Sequence, residues 1–361
     1  MLSSRSKNRG SIAMNSKIKK FFLVLLTMTS ITAFSFEKAV MMHKESLCYV
    51  TEPKVSIFIA NLYLTPGYIT PRPLAADLYY DAEIYNQKIG RVPHYQIGQY
   101  LYGEAVTVKQ FPDSLYSIES DFGLKGTIVP ESRNFLSQVY AYDHLLLHNN
   151  LETALVCQPT AKTYNADGSE FLTIPMASPL YIREKDEEFF EFFDHKSKQF
   201  KLIRKSDVFT KKTIENFALD EALLREKIVE QAHKLLDQPY QWGGQSALEG
   251  SGFDCSGLVK SAYQSCGKDI KRCVTQQLEA SREINPMQLQ AGDLIFLYTQ
   301  GPRRKNAAHV ILYVGNNEII EACPTEKKVK KTTLPLQGFT NGSPLQVGTM
   351  IYLISFRSIL N

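Results

Sequence analysis

The stretch GFDCSGLVKSAYQSCG, residues 252–267, decides the fold of the C-terminal part of this chain. Its apolar residues recur at helical spacing. They are Leu258, Val259, Ala262 and Cys266. Asp254 before this run is typical of an N-cap, and Gly267 after it is typical of a helix end. The pattern therefore predicts a helix that begins at Cys255 and carries this thiol in its first turn.

A cysteine in the first turn of a helix is well placed for nucleophilic chemistry. The free backbone N–H groups and the positive end of the helix dipole favour a thiolate. The same N–H groups can hold a developing oxyanion. We therefore predict that Cys255 is a nucleophile. Taken alone, the residue has a plainer interpretation as an inert buried thiol.

A second stretch, AAHVILYVGNNEIIEA at residues 307–322, supplies a base for that nucleophile. It predicts a hairpin whose two strands are joined by a three-residue loop at 315–317. This loop length places Ile311 opposite Glu321, so that His309 and Glu321 become diagonal neighbours on one face. A cysteine nucleophile needs a base, and the base needs a third group that orients its ring. We predict His309 and Glu321 in these two roles.

Two further motifs, PYQWGG at 239–244 and AGDLIFL at 291–297, complete a pattern over residues 220–356. In their order and spacing the four motifs resemble the NlpC/P60 family of papain-like cell-wall cysteine peptidases. The resemblance implies that Cys255 is the nucleophile and that His309 is the base. The family has a third polar residue twelve positions after the base, most often another His, where this chain has Glu321.

The resemblance also implies the roles of three neighbouring residues. Tyr240 matches an active-site tyrosine that helps to bind the substrate or the oxyanion. Asp254 and Ser256 match residues that recognise the free amino end of short stem peptides in members with N-terminal SH3-like domains. The implied reaction is hydrolysis of a peptidoglycan stem-peptide amide bond, between γ-D-glutamate and diaminopimelate or lysine. It proceeds through an acyl-enzyme and uses no metal or organic cofactor.

In the region before this domain, short apolar runs such as 105–108, 115–118 and 127–129 predict strands, and the residues Asn165-Ala166-Asp167-Gly168 predict a hairpin turn. Short strands separated by turn residues are typical of small β domains. Residues 102–136 resemble bacterial SH3-like domains, and residues 178–209 resemble them more weakly. The predicted fold is thus multidomain: two SH3-like β-barrels at 36–137 and 138–212, followed by an α+β papain-like catalytic domain at 213–361. Generic β modules that act as spacers are the open alternative for the first two domains.

Residues 1–35 are predicted to be a signal peptide, because three lysines precede a short apolar run that ends in Ala33-Phe34-Ser35. An uncleaved N-terminal anchor stays open. This segment carries a charge of +6, so the rest of the chain carries −2 of the total of +4 and offers no basis for nucleic-acid binding. We expect an exported protein of the periplasm or cell envelope that acts as a monomer on peptidoglycan or muropeptides, with no stable membrane span after signal removal.

Two functions of other classes compete with the peptidase. One is a peptidoglycan-binding module whose catalytic domain is inactive, and the other is an acyltransferase built on the same scaffold. The six cysteines are too few for a disulfide framework in 361 residues and lack the spacing of a zinc site. Most of them are therefore expected to be small buried hydrophobic residues.

Overall fold

The computed structural model describes residues 45–50, 54–58, 96–110, 116–119, 125–128, 136–138, 151–300 and 305–360. Side chains are described over 99–104, 151–299 and 307–360. The predicted signal peptide at 1–35 lies outside these residues. None of the helices in the described part of the chain is long and apolar enough to cross a membrane.

The N-terminal part contains an antiparallel sheet. Its described strands are β1 (Glu45–Val50), β2 (Lys54–Phe58), β3 (Gln96–Leu101), β4 (Ala105–Gln110), β5 (Tyr116–Glu119), β6 (Lys125–Ile128) and β7 (Leu136–Gln138), in the order β3-β2-β6-β5-β4-β1-β7. The strands predicted from apolar runs at 105–108, 115–118 and 127–129 correspond to β4, β5 and β6. Several of the connections that would define a barrel lie outside the described residues, so the SH3-like assignment stays a prediction.

A second antiparallel sheet follows between residues 152 and 210. Its strands are β8 (Glu152–Val156), β9 (Thr160–Tyr164), β10 (Glu170–Pro175), β11 (Pro179–Glu184), β12 (Phe189–Asp194), β13 (Gln199–Arg204) and β14 (Val208–Thr210), in the order β10-β9-β13-β12-β11-β8-β14. The predicted turn at 165–168 joins β9 to β10, and Gly168 adopts a φ of 84° that favours glycine. Alternate side chains of these strands, among them Ile182, Phe192 and Ile203, form a buried cluster.

The turn between β3 and β4 contacts both of the domains that follow it. The Tyr102 hydroxyl donates to Asp194 Oδ1 at 2.7 Å in the second sheet. On the other side, buried Lys260 Nζ lies 3.4 Å from Glu104 Oε1, and the backbone N–H of Gln245 donates to Gln99 Oε1 at 2.9 Å. This turn therefore lies against the segment that contains the candidate nucleophile.

Four helices belong to the C-terminal domain: α1 (Lys211–Leu219), α2 (Glu221–Lys234), α3 (Cys255–Ser265) and α4 (Val274–Ala280). Leu224, Ile228, Ala232 and Leu235 recur at helical spacing and predict a helix over 220–236 that Pro239 ends. This helix is α2, and its N-cap Asp220 accepts from the Leu223 N–H at 3.1 Å. It stops before the proline, at Lys234, and residues 237–240 then form backbone hydrogen bonds with residues 327–329.

The C-terminal sheet is antiparallel and packs against α3. Its strands are β15 (Arg282–Glu283), β16 (Leu294–Gln300), β17 (Lys305–Gly315), β18 (Glu318–Cys323), β19 (Lys328–Thr333), β20 (Pro344–Val347) and β21 (Met350–Ser358). The order is β15-β21-β16-β17-β18-β19, with β20 beside β21. Leu258, Val259 and Ala262 of α3 share a buried cluster with Phe296 and Leu312 of the sheet. A helix packed on an antiparallel sheet is the α+β arrangement predicted for this domain.

Candidate active site

The start of α3 places Cys255 as predicted, in the first helical turn. The cap residue Asp254 accepts from the Gly257 N–H through Oδ1 at 2.6 Å. Cys255 is buried, with 6 % of its surface exposed. Gly257 is required here, because a Cβ at this position would lie 2.1 Å from the Gly244 carbonyl oxygen. The glycine thus lets the helix start approach the turn of the PYQWGG motif.

That turn is joined to Phe253 and Asp254, the two residues before the nucleophile, by three polar contacts. The Gly243 N–H donates to Asp254 Oδ2 at 3.0 Å, and the Asp254 N–H donates to the Gly244 carbonyl at 3.1 Å. The Phe253 N–H donates to the Pro239 carbonyl at 2.9 Å. Because all three bonds involve backbone, the turn sets the entry of the chain into α3.

Arg272 completes this arrangement and was missed by the sequence analysis. The residue is 1 % exposed, and its guanidinium donates to both carboxylate oxygens of Asp254, at 3.0 and 2.9 Å. It also donates to Ser256 Oγ at 3.0 Å and to the Gly244 carbonyl at 3.1 Å. A planar guanidinium matches a carboxylate in this two-bonded way. No local pattern distinguishes Arg272 from a solvated basic residue, since its partners lie 16 or more positions away.

The three predicted substrate-binding residues surround Cys255. Asp254 and Ser256 flank it and share Arg272, and the Ser256 hydroxyl donates to Asp254 Oδ1 at 3.1 Å. Tyr240 is buried in the same apolar cluster as Cys255 and Phe253. The structure therefore brings these three residues together with the nucleophile, while their roles toward a substrate stay predictions.

The predicted base and orienting residue form a direct hydrogen bond. His309 Nε2 lies 2.7 Å from Glu321 Oε2. The expected three-residue loop is wrong in detail, because Gly315 pairs with Glu318 and leaves only Asn316 and Asn317 in the turn. A register shift just before Gly315 compensates for the shorter turn, so the predicted diagonal relation of His309 and Glu321 is retained.

The pKa values of His309 and Glu321 depend on each other, and that of His309 also depends on Cys255. Burial alone lowers the pKa of His309. The charge of Cys255 and a hydrogen bond to Cys255, followed by the hydrogen bond to Glu321 and its charge, raise the pKa of His309 to about 10 overall. Burial likewise raises the pKa of Glu321, but His309 and then Lys330 lower it below its usual value. Since Glu321 occupies Nε2, Nδ1 faces the thiol. Cys255, a protonated His309 and the Glu321 carboxylate thus lie in a row.

Residues 237–343 match the family model described as the NlpC/P60 family. This segment is an NlpC/P60 family domain. Two relatives are the peptidoglycan endopeptidase RipB of Mycobacterium tuberculosis and the γ-D-glutamyl-L-lysine dipeptidyl-peptidase of Bacillus subtilis. RipB is 35 % identical over 32 % of this chain and 50 % of its own length. The Bacillus subtilis protein is 28 % identical over 50 % of this chain and 56 % of its own length.

The chain thus spans about half the length of these curated relatives. Among solved structures, an NlpC/P60 family protein from Bacillus cereus aligns with 88 % of this chain and 100 % of its own, with a TM-score of 0.63. At 20 % identity this likeness concerns the fold alone.

Three other described thiols, those of Cys157, Cys266 and Cys273, have raised pKa values. Burial is the largest influence on each and raises the pKa of Cys157 to about 11, that of Cys266 to about 12, and that of Cys273 above its usual value. These three are therefore protonated at neutral pH, as expected of small buried hydrophobic residues. All cysteines with described side chains are free thiols.

A cavity of about 530 Å³ lies elsewhere, between α2 and the segment 282–293. The Arg225 guanidinium at its wall is already bonded to Glu221, Asp293 and the Ala291 carbonyl. None of the predicted site residues lines it. Within the described ranges, no group of three or more His, Cys, Asp or Glu side chains could hold a metal ion.

Proposed function

We propose that this protein is an exported cysteine peptidase that hydrolyses an amide bond in peptidoglycan stem peptides. The observation that carries the proposal is the Cys255–His309–Glu321 row, with the thiol at a helix start and the imidazole bonded to a carboxylate. The matched relatives, which are named as a peptidoglycan endopeptidase and a γ-D-glutamyl-L-lysine dipeptidyl-peptidase, support the substrate class.

Acylation begins when the Cys255 thiolate attacks the carbonyl carbon of the scissile amide. The negative charge moves to the carbonyl oxygen, where the first-turn N–H groups of α3, including that of Cys255, stabilise it. The His309 imidazolium then donates its Nδ1 proton to the leaving amine, and the C–N bond breaks. Glu321 keeps the ring oriented through Nε2 during this transfer.

Deacylation reverses the use of the same groups. His309 is neutral after acylation and removes a proton from a water molecule, which attacks the thioester carbonyl. The C–S bond breaks, the thiolate returns and the ring becomes imidazolium again. The histidine must therefore pass through both protonation states in each cycle.

We place the cut between γ-D-glutamate and diaminopimelate or lysine, with Asp254 and Ser256 beside the free amino end of the peptide and Tyr240 beside the oxyanion. The name of the Bacillus subtilis relative supports the γ-D-glutamyl bond. The contact between Glu104 and Lys260 supports a cleft with one end closed by the N-terminal region, which favours short peptides. The export proposal rests on the charged and apolar pattern of residues 1–35.

The test is mass spectrometry of defined muropeptides incubated with the full chain under reducing conditions. We expect a cut after γ-D-glutamate that is absent in Cys255→Ala and present in the matched control Cys273→Ala. Intact crosslinked wall and added acceptor amines are run in parallel, so that a wall substrate or a transfer product is detected. Retention of uncut peptide by both wild type and Cys255→Ala would replace the peptidase by a binding module.

A further inference from the structure

A lysine on the neighbouring strand contacts the oxygen of Glu321 that His309 does not use. Lys330 lies directly opposite Glu321 in the β18–β19 ladder, and its Nζ is 3.6 Å from Glu321 Oε1. Glu321 Oε2 accepts from His309 Nε2 at 2.7 Å. The carboxylate is thus placed between an imidazole and an ammonium group. We propose that Lys330 is a positioning residue that acts through Glu321 to set the protonation of His309.

The basic run at 327–331 is typical of a solvated surface. Three of its lysines form ion pairs, and they have different partners. Lys328 pairs with Asp237 at 2.6 Å, and Lys331 pairs with Glu318 at 3.1 Å. Lys330 pairs with Glu321 and with Glu326, the latter at 2.5 Å. Of these three, Lys330 therefore contacts the catalytic row while its neighbours pair at the surface.

Lys330 is held in place and stays charged. Its side chain is only 21 % exposed, and Glu326 fixes it from the turn before β19. Burial lowers the pKa of Lys330, but Glu326, Cys323 and Glu321 together raise it above its usual value. Among the described side chains, Cys255 and Lys330 influence the His309–Glu321 pair, and Glu326 and Cys323 influence Lys330.

The proposed mechanism requires that the pKa of His309 does not rise too far, and a cation beside Glu321 limits this rise. An ionised Glu321 beside His309 stabilises the imidazolium, whereas deacylation requires the neutral ring. The ammonium of Lys330 offsets part of that negative charge and prevents the pKa of His309 from rising further. It also lowers the pKa of Glu321, so that the carboxylate remains an acceptor for Nε2.

This inference rests on the proposed peptidase function, and the test separates the two. Full-length wild type, Lys330→Gln, Lys330→Arg and the matched surface control Lys331→Gln are compared. Carbon-13 histidine NMR, with His309→Ala for assignment, gives the pKa of His309 without any substrate. Steady-state kinetics on a muropeptide then gives the pH profile of kcat and of kcat/KM.

For Lys330→Gln we expect the His309 pKa to rise by roughly one pH unit. We expect kcat at neutral pH to fall by roughly 10-fold, with KM almost unchanged. Lys330→Arg restores both values, and Lys331→Gln changes neither. An unchanged His309 pKa in Lys330→Gln, or an equal shift in Lys331→Gln, overturns the inference. If no muropeptide is cut by wild type, the proposed function fails, while the NMR titration still decides whether Lys330 controls His309.

Discussion

The candidate site has two halves, the start of α3 and the β17–β18 hairpin, and their charges are stabilised in different ways. At the start of α3, Asp254 and Arg272 are buried and their charges are satisfied by each other and by backbone N–H groups. On the β17–β18 hairpin, His309 and Glu321 are also largely buried, with 15 % and 14 % of their side chains exposed, but their charges depend on Cys255 and Lys330. The first half is a fixed support for the thiol, and the second is a set of groups whose protonation can change during a reaction.

The two halves also differ in which charges can be lost by titration. A buried charge that loses its partner costs about 3–5 kcal/mol. Arg272 keeps its charge, whereas His309 can release a proton, so a partner lost on the hairpin need not leave a buried charge unpaired. We therefore expect changes at the helix start to act on folding and changes at the hairpin to act on catalysis and its pH dependence. The following predictions test that division, and they begin with the residue that belongs to both halves.

Removal of the thiol should have the largest effect. Cys255→Ala is expected to lower peptide hydrolysis by at least about 10³-fold, because the acyl intermediate can no longer form on the Cys255 sulfur. The free energy of unfolding should change little, since an alanine fits the space of a cysteine. Hydrolysis and urea denaturation are measured side by side, with Cys273→Ala as the control. Residual hydrolysis by Cys255→Ala near the wild-type rate would place the nucleophile elsewhere.

Loss of the buried Arg272 guanidinium should destabilise the start of α3. Arg272→Met is expected to reduce the free energy of unfolding by about 3–5 kcal/mol, because Asp254 keeps a buried charge without its partner. Arg272→Lys should recover only part of this loss, since a lysine cannot bond both carboxylate oxygens at once. Urea denaturation measures both variants. A wild-type unfolding midpoint for Arg272→Met would show that Asp254 does not need this partner.

Removal of the hairpin carboxylate charge should act on catalysis. In Glu321→Gln the pKa of His309 is expected to fall from about 10, because a negative charge that stabilises the imidazolium is lost. The alkaline limb of the pH–rate profile then moves to lower pH, and kcat falls by roughly 10- to 100-fold because the neutral amide holds the orientation of the ring less firmly than the carboxylate does. Glu318→Gln, on the same strand, is the control. An alkaline limb that stays in place would mean that Glu321 does not influence the base.

The smallest effect concerns stability and pH. Folding raises the pKa of His309. The stabilisation that this residue contributes is therefore complete below pH 6.5, the ordinary pKa of a histidine, and disappears as the pH rises through about 10. Because the pKa of Glu321 is lowered, its contribution is complete above 4.5 and disappears as pH falls. The difference in free energy of unfolding between wild type and His309→Gln should therefore be largest between pH 4.5 and pH 6.5, and it should shrink toward alkaline pH.

Urea denaturation of the two proteins at about pH 6, 8 and 10 measures this difference. The same series on Arg272→Met should show no such trend relative to wild type, since the guanidinium does not titrate in this range. A difference between wild type and His309→Gln that grows with pH would mean that the imidazolium is not the form stabilised by folding.

Several features of the site could be predicted because they depend on short-range patterns. The apolar spacing and the cap residue Asp254 are enough to predict a helix that begins at Cys255. Strand alternation places His309 and Glu321 on one face even though the turn is one residue shorter than expected, since the register shift restores the alternation. In both cases the residues that decide the structure lie close together in the chain or are related by a single hairpin.

Other features arise only when distant segments meet. After α2, residues 237–240 form backbone hydrogen bonds with residues 327–329, and Asp237 and Val329 in this set are 92 positions apart. The partner of Asp254 is Arg272, which reaches it from beyond α3. The partner of Glu321 on its second oxygen is Lys330, whose place depends on the β18–β19 register.

The sequence by itself determined the nucleophile, base and orienting residue proposed here, because helix and hairpin geometry follow from local periodicity. Only the tertiary structure decided which charges surround them. Arg272 and Lys330 are ordinary basic residues in the printed sequence, and they acquire their roles through burial and proximity. Coulomb interactions depend on distance and on exclusion of water, and neither quantity is written in the order of the residues.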